Sequence, residues 1–319
     1  MQIQLFELLT PNVKVGIVVV YAFVAFINIF AYLLKALFKK NTDNFLIRMK
    51  SFWIIVVLFT IAFSFNKLIA FLFIMLLSYL ALKEYFSLVP TRRADRRVLL
   101  WAYLSIPIQF YLLYINWVIM FYLFIPLYMF MLVPIRMVLI KETDGFLKSC
   151  GIIHWGLMTT VYALGYLAMY VIFPVDVNPV GGGIGLLLFV LLMTIGNDFM
   201  QYVFGKTFGK HKILPSVSPN KTWEGFLGGV GSSIVISVIL SPYLTPLNIY
   251  QALFAGLGFA VAGFLGDVTM SAIKRDIGVK DTGTLLPGHG GILDRLDSLI
   301  FTAPLFFHYI AYLFKINIY

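Results

Sequence analysis

Cysteine is nearly missing from this sequence. Cys150 stands alone, which excludes an intrachain disulfide and a cysteine-built metal cluster. Charge is scarce as well: Asp, Glu, Lys and Arg make up 12% of 319 residues, against roughly 25% in a soluble domain. Acids are the scarcer sign, 14 against 24 Lys and Arg. No stretch is long and polar enough for a soluble domain, and no internal repeat is visible. The opening MQIQLFELLT has neither a basic n-region nor a small-residue cleavage site, so no signal peptide is expected.

What remains is apolar. Hydrophobic residues reach 61% and the mean hydropathy is +0.93, which places the chain among polytopic membrane proteins. The net charge of +10 then reads as basic loops facing anionic lipid rather than as a nucleic-acid surface. Ten apolar segments are legible, at roughly 15–38, 52–65, 68–86, 98–115, 117–135, 152–173, 184–204, 226–246, 250–270 and 298–315. The second is short for a span of ~20 residues. Apart from Lys14, Lys35, Lys67 and Lys315, every Lys and Arg falls in the odd-numbered connections. That asymmetry supports an even number of spans, with those loops in the cytoplasm. The expected fold is therefore an all-α, multi-pass bundle of about ten helices in the cell membrane, with its active site at the cytoplasmic face. Within the Arg92–Arg97 run, a solvated juxtamembrane turn on anionic headgroups is expected.

The acids divide the chain. Glu7, Asp43, Glu84, Asp95, Glu142, Asp144 and Asp176 are scattered over the first 197 residues. Asp198, Glu224, Asp267, Asp276, Asp281, Asp294 and Asp297 are gathered into the next hundred. Residues 1–180 read as N-terminal transmembrane helices and 181–319 as the region that carries chemistry.

Two stretches there are dense in polar groups. In SAIKRDIGVKDTGTLLPGHGGILDRLDS, Ser271 to Ser298, a ninth helix continuing past the membrane face would put Asp267, Ser271 and Lys274 on one side. Asp294 and Asp297 share a face at the start of the tenth helix. Carboxylates converging from two helices repel unless a cation holds them, and oxygen ligands favour Mg²⁺ or a similar hard ion. Lys274, Arg275, Lys280 and Arg295 supply opposite charge suited to phosphates. His289, set between glycines, could contact phosphate or merely fix the loop. The second stretch, Asn197 to Gly229, adds a polar patch at Asn197, Asp198, Gln201 and Tyr202, then Ser218, Lys221, Thr222 and Glu224. Cations and hydroxyls beside the acidic loop suit a nucleoside triphosphate. A basic turn on lipid headgroups is the plainer alternative, and Ser218-Pro219 through Glu224 also reads as a helix start. Gly205-Lys206-Thr207 resembles the end of a P-loop, but Met200 stands where the leading glycine belongs and no strand precedes it.

The Ser271–Ser298 stretch resembles the C-terminal motif of phosphatidate cytidylyltransferases, the CDP-diacylglycerol synthases. Their pattern S-x-x-K-R, four residues, K-D-x-G, then P-x-H-G-G-x-x-D-R-x-D is matched at every fixed position. SPNKTWEGFLGG is similar to a second stretch of that family. Where the family commonly has D-x-x-A-Y in the seventh helix, Asp198-Phe-Met-Gln201-Tyr202 stands here. The resemblance implies that CTP and phosphatidic acid are converted to CDP-diacylglycerol and pyrophosphate. It implies Mg²⁺ dependence, admits K⁺ as a second ion, and makes a homodimer plausible. It assigns the chemistry to Asp267, Lys274, Asp281, Asp294 and Asp297. The metal would lie on Asp267 and Asp294, with Asp281 or Asp297. Substrate contacts would come from Asp198, Ser218, Lys221, Thr222, Ser271, Arg275, Lys280, His289 and Arg295. The alternatives are a relative acting on another lipid phosphate, a lipid-alcohol kinase, and an anion transporter.

Overall fold

A computed structural model describes residues 9–38, 43–279, 281–283 and 290–316. Ten helices follow the ten apolar segments: α1 (Pro11–Phe38), α2 (Asp43–Ser64), α3 (Lys67–Leu88), α4 (Arg96–Tyr114), α5 (Val118–Val138), α6 (Phe146–Val171), α7 (Gly182–Phe208), α8 (Trp223–Leu244), α9 (Ile249–Asp276) and α10 (Leu293–Leu313). Among the described residues, nine are long and apolar enough to cross a membrane. In α2 the described residues include a shorter apolar stretch, Phe52–Ser64. The chain is thus an all-α, multi-pass membrane bundle. Large apolar side chains such as Phe26, Leu147, Leu227 and Phe254 cover its outside, as a lipid-facing surface allows.

Helix ends follow local chemistry. Asn66 caps α3 by accepting from Ile69 N at 3.0 Å. Asn248 and Gln251 form a reciprocal capping box at the start of α9, each side chain accepting from the other's backbone N–H at 2.9 Å. Both α5 and α6 loosen into a π-turn midway, at Phe124–Met129 and Met158–Ala163. In the second, Thr160 Oγ1 donates to the Gly156 carbonyl at 2.7 Å, satisfying a backbone group that the wider turn frees.

The C-terminal four helices pack through small residues, as helices in lipid do. A Cβ on Gly225 of α8 would come within 2.9 Å of Gly205 Cα on α7, and one on Gly266 of α9 within 2.6 Å of the Asp297 carbonyl oxygen at the head of α10. These close approaches draw the polar ends of α7, α8, α9 and α10 together.

Two features depart from expectation. The residues from Ser218 do not start a helix. Lys212–Leu214 (β1) and Ser218–Thr222 (β2) form an antiparallel hairpin, and α8 begins only at Trp223. Pro219 disfavours helical geometry at Ser218, and the cap falls to Thr222, whose Oγ1 accepts from Gly225 N at 3.2 Å. The acid expected in the first turn is there: Glu224 accepts from Lys210 N at 3.0 Å and His211 N at 3.2 Å, clasping the hairpin's entry.

The second departure is Arg92. Instead of standing in solvent it grips Asp95 from both ends of its guanidinium, Nε–Oδ2 at 2.7 Å and Nη2–Oδ1 at 2.8 Å. Asp95 is fully buried and also accepts from Ser149 Oγ at 2.6 Å, while Arg96 and Arg97 remain exposed. Burial alone would raise the Asp95 pKa, but the hydrogen bonds from Arg92 and Ser149 outweigh it and hold it below the usual carboxylate range. A folded-state pKa below the unfolded one contributes stability above the unfolded value and loses it as pH falls. Asp95→Ala is therefore expected to cost about 3 kcal/mol at neutral pH. Thermal unfolding in detergent should show the gap from wild type persisting at pH 7 and closing only below about pH 4.

Candidate active site

The polar side chains of the bundle meet at one end, where α3, α7 and α9 finish and α8 and α10 begin. They form two adjoining groups. The first is built on Asp198 of α7, Asp267 of α9 and Asp297 at the head of α10, three carboxylates that act on one another electrostatically. With a rise of 1.5 Å per residue, Asp198 lies about 15 Å short of the Phe208 end of α7, and Asp267 about 14 Å short of the Asp276 end of α9. The carboxylates of α7 and α9 are therefore recessed below the ends of those helices.

Each carboxylate has a partner. Lys221 of β2 places Nζ 2.7 Å from Asp267 Oδ2 and donates to Gln201 Oε1 at 3.0 Å. Ser271, one turn on along α9, donates to Asp267 Oδ1 at 3.3 Å. Ser298 Oγ lies 3.1 Å from Asp198 Oδ1 and 3.2 Å from the Gly263 carbonyl oxygen, so its single proton serves one at a time. Asp297 Oδ1 accepts from Ser298 N at 2.8 Å. Beneath them Asn197 Oδ1 accepts from Gln201 Nε2 and from Ser233 Oγ, both at 3.1 Å. Its Nδ2 is buried with no hydrogen-bond partner.

Negative charge exceeds positive charge in this group, and the donors are all oxygens, a set suited to a hard cation. Among the described residues no three acidic, imidazole or thiol side chains already stand at metal-binding spacing; the Lys221 ammonium sits against Asp267 instead. Holding a cation there would require Lys221 to turn toward other partners.

The second group surrounds Asp294. Its Oδ1 accepts from Lys274 Nζ at 2.8 Å, and its Oδ2 from Thr282 N at 2.8 Å and Gly291 N at 3.2 Å. Gly290 beside it has φ +83°, which favours glycine, and a Cβ there would come 2.9 Å from Asp294 Oδ2. Glu84, near the end of α3, accepts from Thr282 Oγ1, from Ile292 N at 2.9 Å and from Leu293 N at 3.0 Å.

The structure thus gathers Asp267 and Asp297 with Asp198, Lys221 and Ser271. It sets Asp294 with Lys274 next to them, in a loop-holding arrangement. Asp281 is exposed and has no hydrogen bond or ion pair among the described residues. Arg275 donates to the carbonyls of Val217 and Val279, both at 3.3 Å, lacing the hairpin to the end of α9. Arg295 is exposed and acts on Asp198 only through its charge. The Thr222 hydroxyl is buried in its capping bond, whereas Ser218 is half-buried on the hairpin. Lys280 and His289 lie outside the described residues.

Sequence reasoning passed over Glu84. Its signal was a carboxylate within an otherwise apolar helix, which is costly unless it has a role. It placed Asp198 among substrate contacts; here Asp198 lies with Ser298, Lys221 and Asp267.

A helical membrane protein with carboxylates and lysines recessed at one end of the bundle is built to handle charged groups beside the lipid. A model of the cytidylyltransferase family matches residues 46–313, and the chain belongs to that family of nucleotidyltransferase enzymes. The uncharacterized protein YnbB of Escherichia coli (strain K12) is 45% identical over 281 residues, which cover 88% of this chain and 92% of that protein. Phosphatidate cytidylyltransferases of Staphylococcus epidermidis and Staphylococcus aureus are each 44% identical over 124 residues, 39% of this chain. That match spans 48% of their own length.

Proposed function

We propose that this protein transfers the cytidylyl group of CTP to phosphatidic acid, giving CDP-diacylglycerol and pyrophosphate, at the cytoplasmic face of the cell membrane. The observation that carries the reading is the recessed group of Asp198, Asp267 and Asp297 beside Lys221. There a lipid phosphate from the bilayer would meet a nucleotide from the aqueous side. The relatives named as phosphatidate cytidylyltransferases support the choice of lipid and nucleotide. The basic loops at this end of the bundle support the orientation.

The reaction joins two anions. A phosphate oxygen of phosphatidic acid bonds to the α-phosphorus of CTP, the bond from that phosphorus to the bridging oxygen breaks, and pyrophosphate leaves with the electron pair. Charge repulsion dominates such a barrier, so electrostatic stabilisation is the main task of the site. Asp198, Asp267 and Asp297 would hold Mg²⁺, and the same oxygen donors suit K⁺ as a second ion. When bound, the ion neutralises charge on the phosphates and on the leaving pyrophosphate. Lys221 is shared between Asp267 and Gln201 and is placed to turn to the triphosphate. Lys274, Arg275 and Arg295 add positive charge around it. The lipid phosphate is already ionised at neutral pH, so no strong general base is needed.

Purified protein in mixed micelles with CTP, Mg²⁺ and phosphatidic acid is expected to yield CDP-diacylglycerol and pyrophosphate in equal amounts. Release of a nucleoside diphosphate would indicate a lipid kinase. No turnover with any lipid phosphate and nucleotide would contradict the proposal.

A further inference from the structure

Among the described residues, the N-terminal helices bring Glu84 to the site region, and its geometry is specific. Glu84 lies in the penultimate turn of α3, flanked by the exposed Lys83 and the buried Tyr85. Its carboxylate holds both ends of the segment that joins α9 to α10. On one side it takes the Thr282 hydroxyl, and on the other the backbone N–H groups of Ile292 and Leu293. The latter belong to the entry of α10, whose first N–H groups have no partner within their own helix. The residue preceding α10, Ile292, has no side chain able to cap. Glu84 therefore caps α10 from another helix, and its negative charge faces the positive end of that helix. Space agrees with this role. A Cβ on Gly291 would fall 2.0 Å from Glu84 Oε1, and one on Gly283 would fall 3.1 Å from Oε2. A side chain at 291 would exclude the carboxylate, and one at 283 would crowd it.

Two carboxylates share the work at this point. Asp294 takes the backbone N–H of Thr282 and Gly291, while Glu84 takes the Thr282 hydroxyl and the next two N–H groups along. The entry of α10 carries Asp294 and Asp297 within its first residues. Whatever fixes that entry fixes the height and rotation of both.

We propose that Glu84 is a positioning residue of the active site: a trans-cap, reaching in from the N-terminal helices, that sets where α10 begins and so where Asp294 and Asp297 stand. Its kinetic consequence rests on the cytidylyl-transfer reading, whereas its effect on the loop does not. A carboxylate that merely stabilised the bundle would lower the unfolding temperature and leave each folded molecule fully active. A positioning residue lowers turnover in molecules that remain folded.

The test uses the full chain in mixed micelles as wild type, Glu84→Gln and Glu84→Ala. Hydrogen exchange is followed in peptides covering 281–296 and, for comparison, α9, and cytidylyl transfer is measured per folded protein well below the unfolding temperature. Faster exchange confined to 281–296 is expected in both variants, larger in Glu84→Ala. Turnover is expected to fall roughly 10- to 100-fold in Glu84→Ala. A smaller loss is expected in Glu84→Gln, whose amide oxygen still accepts one N–H, and KM for CTP should change less than kcat in both. If Glu84→Ala does not fold, Glu84→Gln decides alone. Unchanged exchange at 281–296, or turnover near wild type in a folded variant, would overturn the proposal. A wild type that transfers nothing would sink the cytidylyl-transfer reading, while the exchange measurement would still decide the role of Glu84.

Discussion

Asp267→Asn is expected to lower cytidylyl transfer on the order of 10³-fold, the scale on which electrostatic groups at a reacting phosphate act. The amide has the same size and can still meet Ser271, so the fold should survive. What it lacks is charge. Asp267 is the carboxylate on which Lys221 closes at 2.7 Å and the one placed against both Asp198 and Asp297. Removing its charge weakens the recess's hold on a cation and frees Lys221 from its ion pair. Turnover and unfolding temperature measured together separate chemistry from folding. A folded Asp267→Asn protein with turnover near wild type would remove Asp267 and the recess from the mechanism.

Asp294→Ala should act differently, through the scaffold as well as the chemistry. The Asp294 side chain is 7% exposed and that of Lys274 12% exposed. Truncating one member of so enclosed a pair leaves an ammonium with little water, which costs about 3–5 kcal/mol. The N–H groups of Thr282 and Gly291 lose their acceptor at the same time. A marked drop in unfolding temperature is expected, together with loss of turnover. Lys274→Met in the same background should recover part of the stability, because the charge left behind is removed, without recovering activity. Additive destabilisation in the double variant would show that the pair is not coupled.

Much of the fold is legible from hydropathy alone, because each span has to be apolar along its whole length in lipid. The second segment, 52–65, falls within a longer helix, α2, that begins at Asp43. Boundaries moved where polar residues continue a helix beyond the lipid. The apolar run 250–270 belongs to a helix that reaches Asp276 and carries Lys274 and Arg275 in its last turn. The hairpin was not legible, since its strands of three and five residues show no alternation of apolar and polar side chains and one contains a proline. Of the candidate site, the density of charge and glycine between Ser271 and Ser298 marked the region. The sorting of those charges was hidden. Asp294 binds backbone N–H groups of a loop, and Asp198 meets Asp297 from a different helix, and neither relation leaves a local pattern. Glu84 is the clearest case: its partners Ile292 and Leu293 lie 208 and 209 residues away in sequence. No spacing rule reaches that far.

In the proposed reaction the α-phosphorus of CTP is the centre attacked. Wild-type protein in mixed micelles with phosphatidic acid should be given CTP labelled at the α-phosphate in one reaction and at the γ-phosphate in another. The α label is expected to move into the lipid product while the γ label leaves as pyrophosphate. A γ label appearing in the lipid, or no label in lipid from either position, would contradict it.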